Sequence, residues 1–234
     1  MIDTLIELGL AIVPTVLAIT LHEAAHGYAA LALGDTTAKE AGRLSLNPLR
    51  HVDRMGTIIL PGILLITQLA LPPHRVSFMF GWAKPVPIAA WRFKDPRRGM
   101  ALVAVAGPAM NLFLAWIAAV AMPFGARPDG GFEAMEARFL IYFMLSNLVL
   151  GLFNLLPIPP LDGGRVAVGL LPLELARLWA GLERYGILIV LGLVFLLPRL
   201  TGFDPVGDLL ETVLPWAFRV LFQLAGHDLD GIRL

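Results

Sequence analysis

Two imidazoles and a carboxylate fall within five consecutive positions of an apolar run, in Leu21-His22-Glu23-Ala24-Ala25-His26-Gly27. On a helix, residues four apart stack on one face, so His22 and His26 can share a metal ion. Glu23 follows His22 directly and is placed to take a proton from water at the metal without ligating the metal itself. The HExxH pattern also occurs by chance in soluble chains, where the bland reading is a helix with three polar residues. Here it lies in a segment apolar enough for a bilayer, where each ionisable group costs roughly 2.5–3.5 kcal/mol at the helix centre. A bound divalent cation offsets that cost, and two imidazoles with a carboxylate suit zinc.

Catalytic zinc usually takes three protein ligands and keeps one position open. The chain has no cysteine, so thiolate ligands are excluded. His51, His74 and His227 lie outside the apolar runs. The stronger candidate is Asp162, in Asn154-Leu155-Leu156-Pro157-Ile158-Pro159-Pro160-Leu161-Asp162-Gly163-Gly164. Prolines open the end of a helix there, and the glycine pair lets the backbone turn. The alternative role for Asp162 is to cap a helix terminus. His51 and Asp53 could suggest a second metal site, but a solvated loop is the better reading of that stretch.

The elements that must hold these groups are membrane segments. Of 234 residues, 57% are hydrophobic and 15% charged, against about 25% charged in soluble domains. Net charge is zero, which removes the electrostatic case for nucleic acid. Asp3 and Glu7 stand where a secretory signal would carry basic residues. Apolar stretches run over about 5–33, 57–71, 100–122, 139–157, 185–197 and 206–225. A span needs roughly 20 residues, which the first, third and fourth provide. The last carries Asp208, Glu211 and Arg219, so it either spans or lies at the interface.

Lysine and arginine concentrate in 34–56 and 72–99, which places both stretches on the cytoplasmic side and 123–138 outside. The chain between the two basic stretches must then cross an even number of times. Residues 57–71 are expected to re-enter, with the alternating Val76-Ser77-Phe78-Met79-Phe80 as a short β element lining the site. The expected fold is an all-α polytopic membrane protein of five or six segments with that small re-entrant β element. It forms one domain over 1–234, with core helices at about 5–33, 100–122 and 139–160.

Taken together, HEAAH in a first membrane helix and NLLPIPPLDGG further on resemble the site-2 protease family of intramembrane zinc metalloproteases. Three further stretches resemble its compact prokaryotic branch, which has no PDZ or regulatory domain: Gly42-Arg43-Leu44-Ser45-Leu46-Asn47-Pro48, Gly81-Trp82-Ala83-Lys84-Pro85-Val86-Pro87 and Ala106-Gly107-Pro108-Ala109-Met110-Asn111. The resemblance implies one zinc per chain on His22, His26 and Asp162, with Glu23 as general base. It implies that Asn154 stabilises an oxyanion or orients substrate; the alternative role is to satisfy backbone freed by Pro157 and Pro159. Asn111 is expected to pack or hydrogen-bond between helices. Trp82 and Lys84 either frame a substrate strand or form an interfacial loop. The implied partners are transmembrane-helix proteins and the lipid bilayer, and the implied location is the prokaryotic inner membrane with the site facing the cytoplasm. The competing class is a metal-binding or transport protein using the same His and Asp ligands.

Overall fold

Pro96 opens the helix on which the rest of the chain packs. Asp95 caps it, its Oδ1 accepting the backbone N–H groups of Arg97 and Arg98 at 3.0 Å each. Proline at the first helical position costs nothing, because that N–H has no helical partner anyway. In the computed structural model, which describes residues 2–70, 81–122 and 132–227, ten α-helices follow in order. They are α1 (Ile2–Ala32), α2 (Thr37–Glu40), α3 (Leu60–Ala70), α4 (Pro96–Ala121), α5 (Phe132–Asn154), α6 (Asp162–Leu170), α7 (Leu173–Gly181), α8 (Gly186–Leu191), α9 (Leu197–Thr201) and α10 (Pro205–Leu224).

Helix α4 lies at the centre, against α1, α5 and α6, and α1 also packs on α5. Its buried positions (Val103, Ala104, Gly107, Pro108, Asn111, Ala115, Ala118 and Ala119) recur every three or four residues, so they share a face. Most are small. Lipid supplies no hydrophobic push between helices, so close backbone approach and hydrogen bonds must hold them together. Thr15 and Ser146 make one such bond between α1 and α5, at 3.0 Å. At the far end, Ala118, Ala119, Met144 and Leu148 form a core closed by Phe222 of α10.

All regular structure among the described residues is helical. The expected β element at Val76–Phe80 falls outside them. Among the described residues, three stretches are long and apolar enough to cross a membrane: Pro96–Ala121, Met135–Asn154 and Leu173–Thr201. Helix α1 has 31 residues, about 46 Å at 1.5 Å per residue. Two boundaries differ from expectation. The helix expected to reach about 160 ends at Asn154, because Pro157, Pro159 and Pro160 have no N–H to continue it. The apolar run at 185–197 is the middle of a longer helical stretch, whose charged start (Glu174, Arg177, Glu183) concealed it; these side chains sit on an exposed flank.

Residues 81–89 carry neither helix nor strand, yet they are tied down along their length. Their far end is held by Asp35, which is only 1% exposed. Its carboxylate accepts the N–H of Ala89 at 2.6 Å and that of Thr37 at 2.9 Å. Burial disfavours the charge on Asp35, but the hydrogen bonds from Thr37 and Ala89, with Arg92 nearby, outweigh it and hold its carboxyl below the usual carboxylate range. A depressed folded-state pKa contributes stability above the unfolded value of about 3.9, and that contribution is lost as pH falls through the folded value. Asp35→Ala should therefore lower stability by about 1–3 kcal/mol at neutral pH, having stranded the Ala89 N–H. Thermal unfolding in detergent should show the gap from the parent narrowing as pH falls below 4.

Candidate metal centre

One turn of α1 faces one turn of α4, with the first residue of α6 closing the gap. His26 Nδ1 lies 2.7 Å from the carbonyl of Val103 on α4. A carbonyl only accepts, so the proton sits on Nδ1 and Nε2 keeps its lone pair. His22 Nδ1 lies 2.5 Å from Asn111 Oδ1 on α4, which fixes the same tautomer. The Asn111 amide is itself oriented: its N–H groups donate to Asn147 Oδ1 at 2.8 Å and to the Ala18 carbonyl at 3.3 Å. Asn147 in turn donates to the carbonyl of Phe143 at 2.8 Å. Both asparagines are fully buried.

The two Nε2 atoms lie 3.0 Å apart. Asp162 Oδ2 lies 3.1 Å from His22 Nε2 and 3.2 Å from His26 Nε2. That oxygen is buried and has no hydrogen-bond partner. Three potential ligand atoms thus converge in one buried pocket, an arrangement that a bound cation would satisfy. A tetrahedral zinc with ligand bonds of about 2.0–2.1 Å would set its ligand atoms roughly 3.3 Å apart, close to these spacings. Among the described residues, these three form the one group of side chains able to hold a metal ion.

Glycines make the convergence possible. A Cβ on Gly107 would lie 2.5 Å from His26 Nε2 and 2.6 Å from His22 Cε1. On α6, side chains at Gly163 and Gly164 would strike the backbone of the preceding proline-rich turn. Asp162 is the first residue of α6 and does not cap it; the cap position is Leu161.

The site opens into a cavity of about 700 Å³ lined by His22, Glu23, His26, Trp82, Asn154 and Asp162, among others. Glu23 Oε2 accepts the backbone N–H of Val86 at 3.1 Å. Asn154, the last residue of α5, donates one amide N–H back to the Leu150 carbonyl at 3.0 Å, a group neither Pro157 nor Pro159 frees, and keeps a second N–H. His51 and Asp53 do not form a metal site. His51 Nε2 is bonded to the Ser45 carbonyl, and the Asp53 carboxylate accepts the N–H groups of Met55 and Gly56. His227 bonds the Ala119 carbonyl, and His74 lies outside the described residues. The residues that sequence reasoning passed over are the supports. Asn147 and the Val103 carbonyl carry no motif, although an amide in an apolar helix is itself a signal of a partner.

Apolar helices around a three-donor metal site, with a further carboxylate lining the adjoining cavity, define a membrane-embedded metalloenzyme. The family model described as "Peptidase family M50" matches residues 123–197. Over 184 residues the chain is 38% identical to "Putative zinc metalloprotease YwhC" of Bacillus subtilis (strain 168), covering 77% of each protein. It is 30% identical over 213 residues to "Putative zinc metalloprotease Rip2" of Mycobacterium tuberculosis (strain H37Rv), covering 91% of this chain and 70% of that protein. Rip2 of Mycolicibacterium smegmatis is 30% identical over 187 residues, 79% of this chain and 66% of that one. No solved structure matches the chain. The chain belongs to peptidase family M50, the site-2 proteases, and is a membrane zinc metalloprotease. The metal-transport alternative is not favoured.

Partners beyond the metal typically tune affinity 10- to 100-fold, so Asn111→Ala should weaken zinc binding by about that factor. Competition against a chromophoric chelator, with the protein's fold checked by circular dichroism, measures it. An unchanged affinity would mean the Asn111–His22 contact does not orient the ligand.

Proposed function

We propose that the chain cleaves peptide bonds in or near the membrane-spanning segments of other proteins, with His22, His26 and Asp162 holding zinc and Glu23 as general base. The observation that carries this reading is the convergence of His22, His26 and Asp162 beside Glu23 on the wall of one cavity. A zinc ion held there would polarise a carbonyl and acidify water to a pKa of about 7. Glu23 lines the cavity, and its Oε2 accepts the Val86 N–H, which leaves Oε1 for the reaction. Oε1 takes the proton of an attacking water and passes it to the departing amine. The Asn154 N–H that does not reach Leu150 is the donor for charge developing on the scissile oxygen.

A substrate helix has its carbonyls locked in helical bonds, so it must unwind locally before one can enter the cavity. The basic stretches at 34–56 and 72–99 support a cytoplasmic site in a prokaryotic inner membrane, with five or six segments and a re-entrant element near 57–80.

Purified protein in detergent, given a transmembrane peptide with a fluorescent cleavage reporter, tests the assignment. Glu23→Gln should retain about one zinc per chain while hydrolysis falls by at least about 100-fold. Asp162→Ala should lose both zinc and activity. Cleavage by Glu23→Gln at the parent rate would sink the base assignment.

A further inference from the structure

The stretch Gly42-Arg43-Leu44 lies outside the metal centre, yet it leads to Glu23. Arg43 is only 8% exposed, and its Nε has no hydrogen-bond partner. No carboxylate among the described residues pairs with it. Instead, one guanidinium nitrogen donates to the Lys84 carbonyl at 2.6 Å and reaches the Pro85 carbonyl at 3.4 Å. A buried cation facing only carbonyls is a costly arrangement for stability alone, because the desolvation is not repaid by an opposite charge.

The geometry around it shows what those carbonyls position. Pro85 and Pro87 have no N–H, so Val86 offers the one backbone donor of that tripeptide, and it goes to Glu23. The Lys84 N–H is bound to the His51 carbonyl at 2.8 Å. On the helix side, a Cβ at Gly27 would lie 2.6 Å from Leu44 Cδ2 and 3.2 Å from Val86 Cγ1. That glycine lets both side chains sit against α1 one turn beyond Glu23. The 43–51 loop, the 84–86 backbone and the Glu23 carboxylate therefore lie in successive layers, joined by hydrogen bonds.

We propose that Arg43 is a positioning residue for Glu23: its guanidinium grips the Lys84 and Pro85 carbonyls, setting the Val86 N–H that holds the Glu23 carboxylate with one oxygen turned to the cavity. The proposal rests on the reading of Glu23 as the base. Arg43 touches neither substrate nor metal in this role. A lysine at the position keeps the charge and one donor on a flexible stem, but loses the rigid fork.

Arg43→Gln and Arg43→Lys, purified in detergent and assayed on the same reporter peptide, test it. In Arg43→Gln, kcat should fall about 10- to 100-fold, as for a group misplaced by about an ångström. KM should stay within about twofold and zinc content should remain at the parent value. Arg43→Lys should recover part of kcat. Hydrogen–deuterium exchange read across 84–88 should speed up in Arg43→Gln, with or without zinc, and also in Glu23→Ala, which removes the acceptor. Parent kcat in Arg43→Gln would overturn the proposal, as would a loss of zinc in step with activity. Should Arg43→Gln fail to fold, slow exchange at 84–88 in Glu23→Ala would overturn it on its own. If Glu23→Gln were fully active, the underlying base assignment would fail. An inactive Glu23→Gln beside a fully active Arg43→Gln would remove only the present proposal.

Discussion

Everything near the centre follows from one electrostatic constraint. Two imidazole nitrogens and a carboxylate oxygen lie within about 3 Å of each other in a buried pocket, each ring having its Nδ1 turned to an oxygen acceptor. Without a cation this cluster is repulsive and poorly solvated. With one, each donor is satisfied and the burial that made the cluster costly makes the binding strong. The tautomers that create the problem are set on purpose by the far sides of the rings. The Val103 carbonyl takes one Nδ1 proton and the Asn147–Asn111 pair fixes the other. Those partners all come from α4 and α5, so assembling the helices and preparing the metal site are one event.

Such a centre needs backbones to approach more closely than ordinary side chains permit. The buried face of α4 supplies this with alanine and glycine, and Gly107 lies where any Cβ would enter the imidazole pair. The ligand from the distant part of the sequence needs a different device. The prolines end α5 at Asn154, and the paired glycines let the next helix start against that turn. Asp162 then stands at the head of α6, aimed at α1. The packing of α6 on α4 keeps it there.

The side chains proposed for the chemistry stand out in the sequence. Charged and imidazole groups are rare in apolar helices, so His22, Glu23 and His26 announce a partner by their cost alone. Asp162 was legible through its prolines and glycines. The supports were less so. Asn111 could be read as an interhelical contact, but its target depends on which turn of α1 faces α4, and periodicity does not encode that. Boundaries failed for a related reason. A hydropathy window stops at Glu174, Arg177 and Glu183, whereas the folded chain carries its helical course past them because their side chains have solvent or headgroups to reach. The non-helical 81–89 segment held the least local signal, since its order comes from Asp35, Arg43 and His51, which are remote in sequence.

The two halves of the site are supported in unlike ways, and the difference has a mechanical meaning. The metal ligands are fixed by helices buried against one another, where a shift of one residue disturbs a packed interface. The Glu23 carboxylate shares the α1 backbone with His22 and His26, but its side chain is aimed by a non-helical segment tied down by single hydrogen bonds. Helical ligands resist displacement through packing, whereas the 81–89 segment is held by its hydrogen bonds with Arg43, His51 and Asp35. Holding the metal and aiming the carboxylate thereby rest on separate supports: packed helices for the three donors, and the hydrogen-bonded 81–89 segment for Glu23. A site that must take in a substrate without losing its metal is served by that separation.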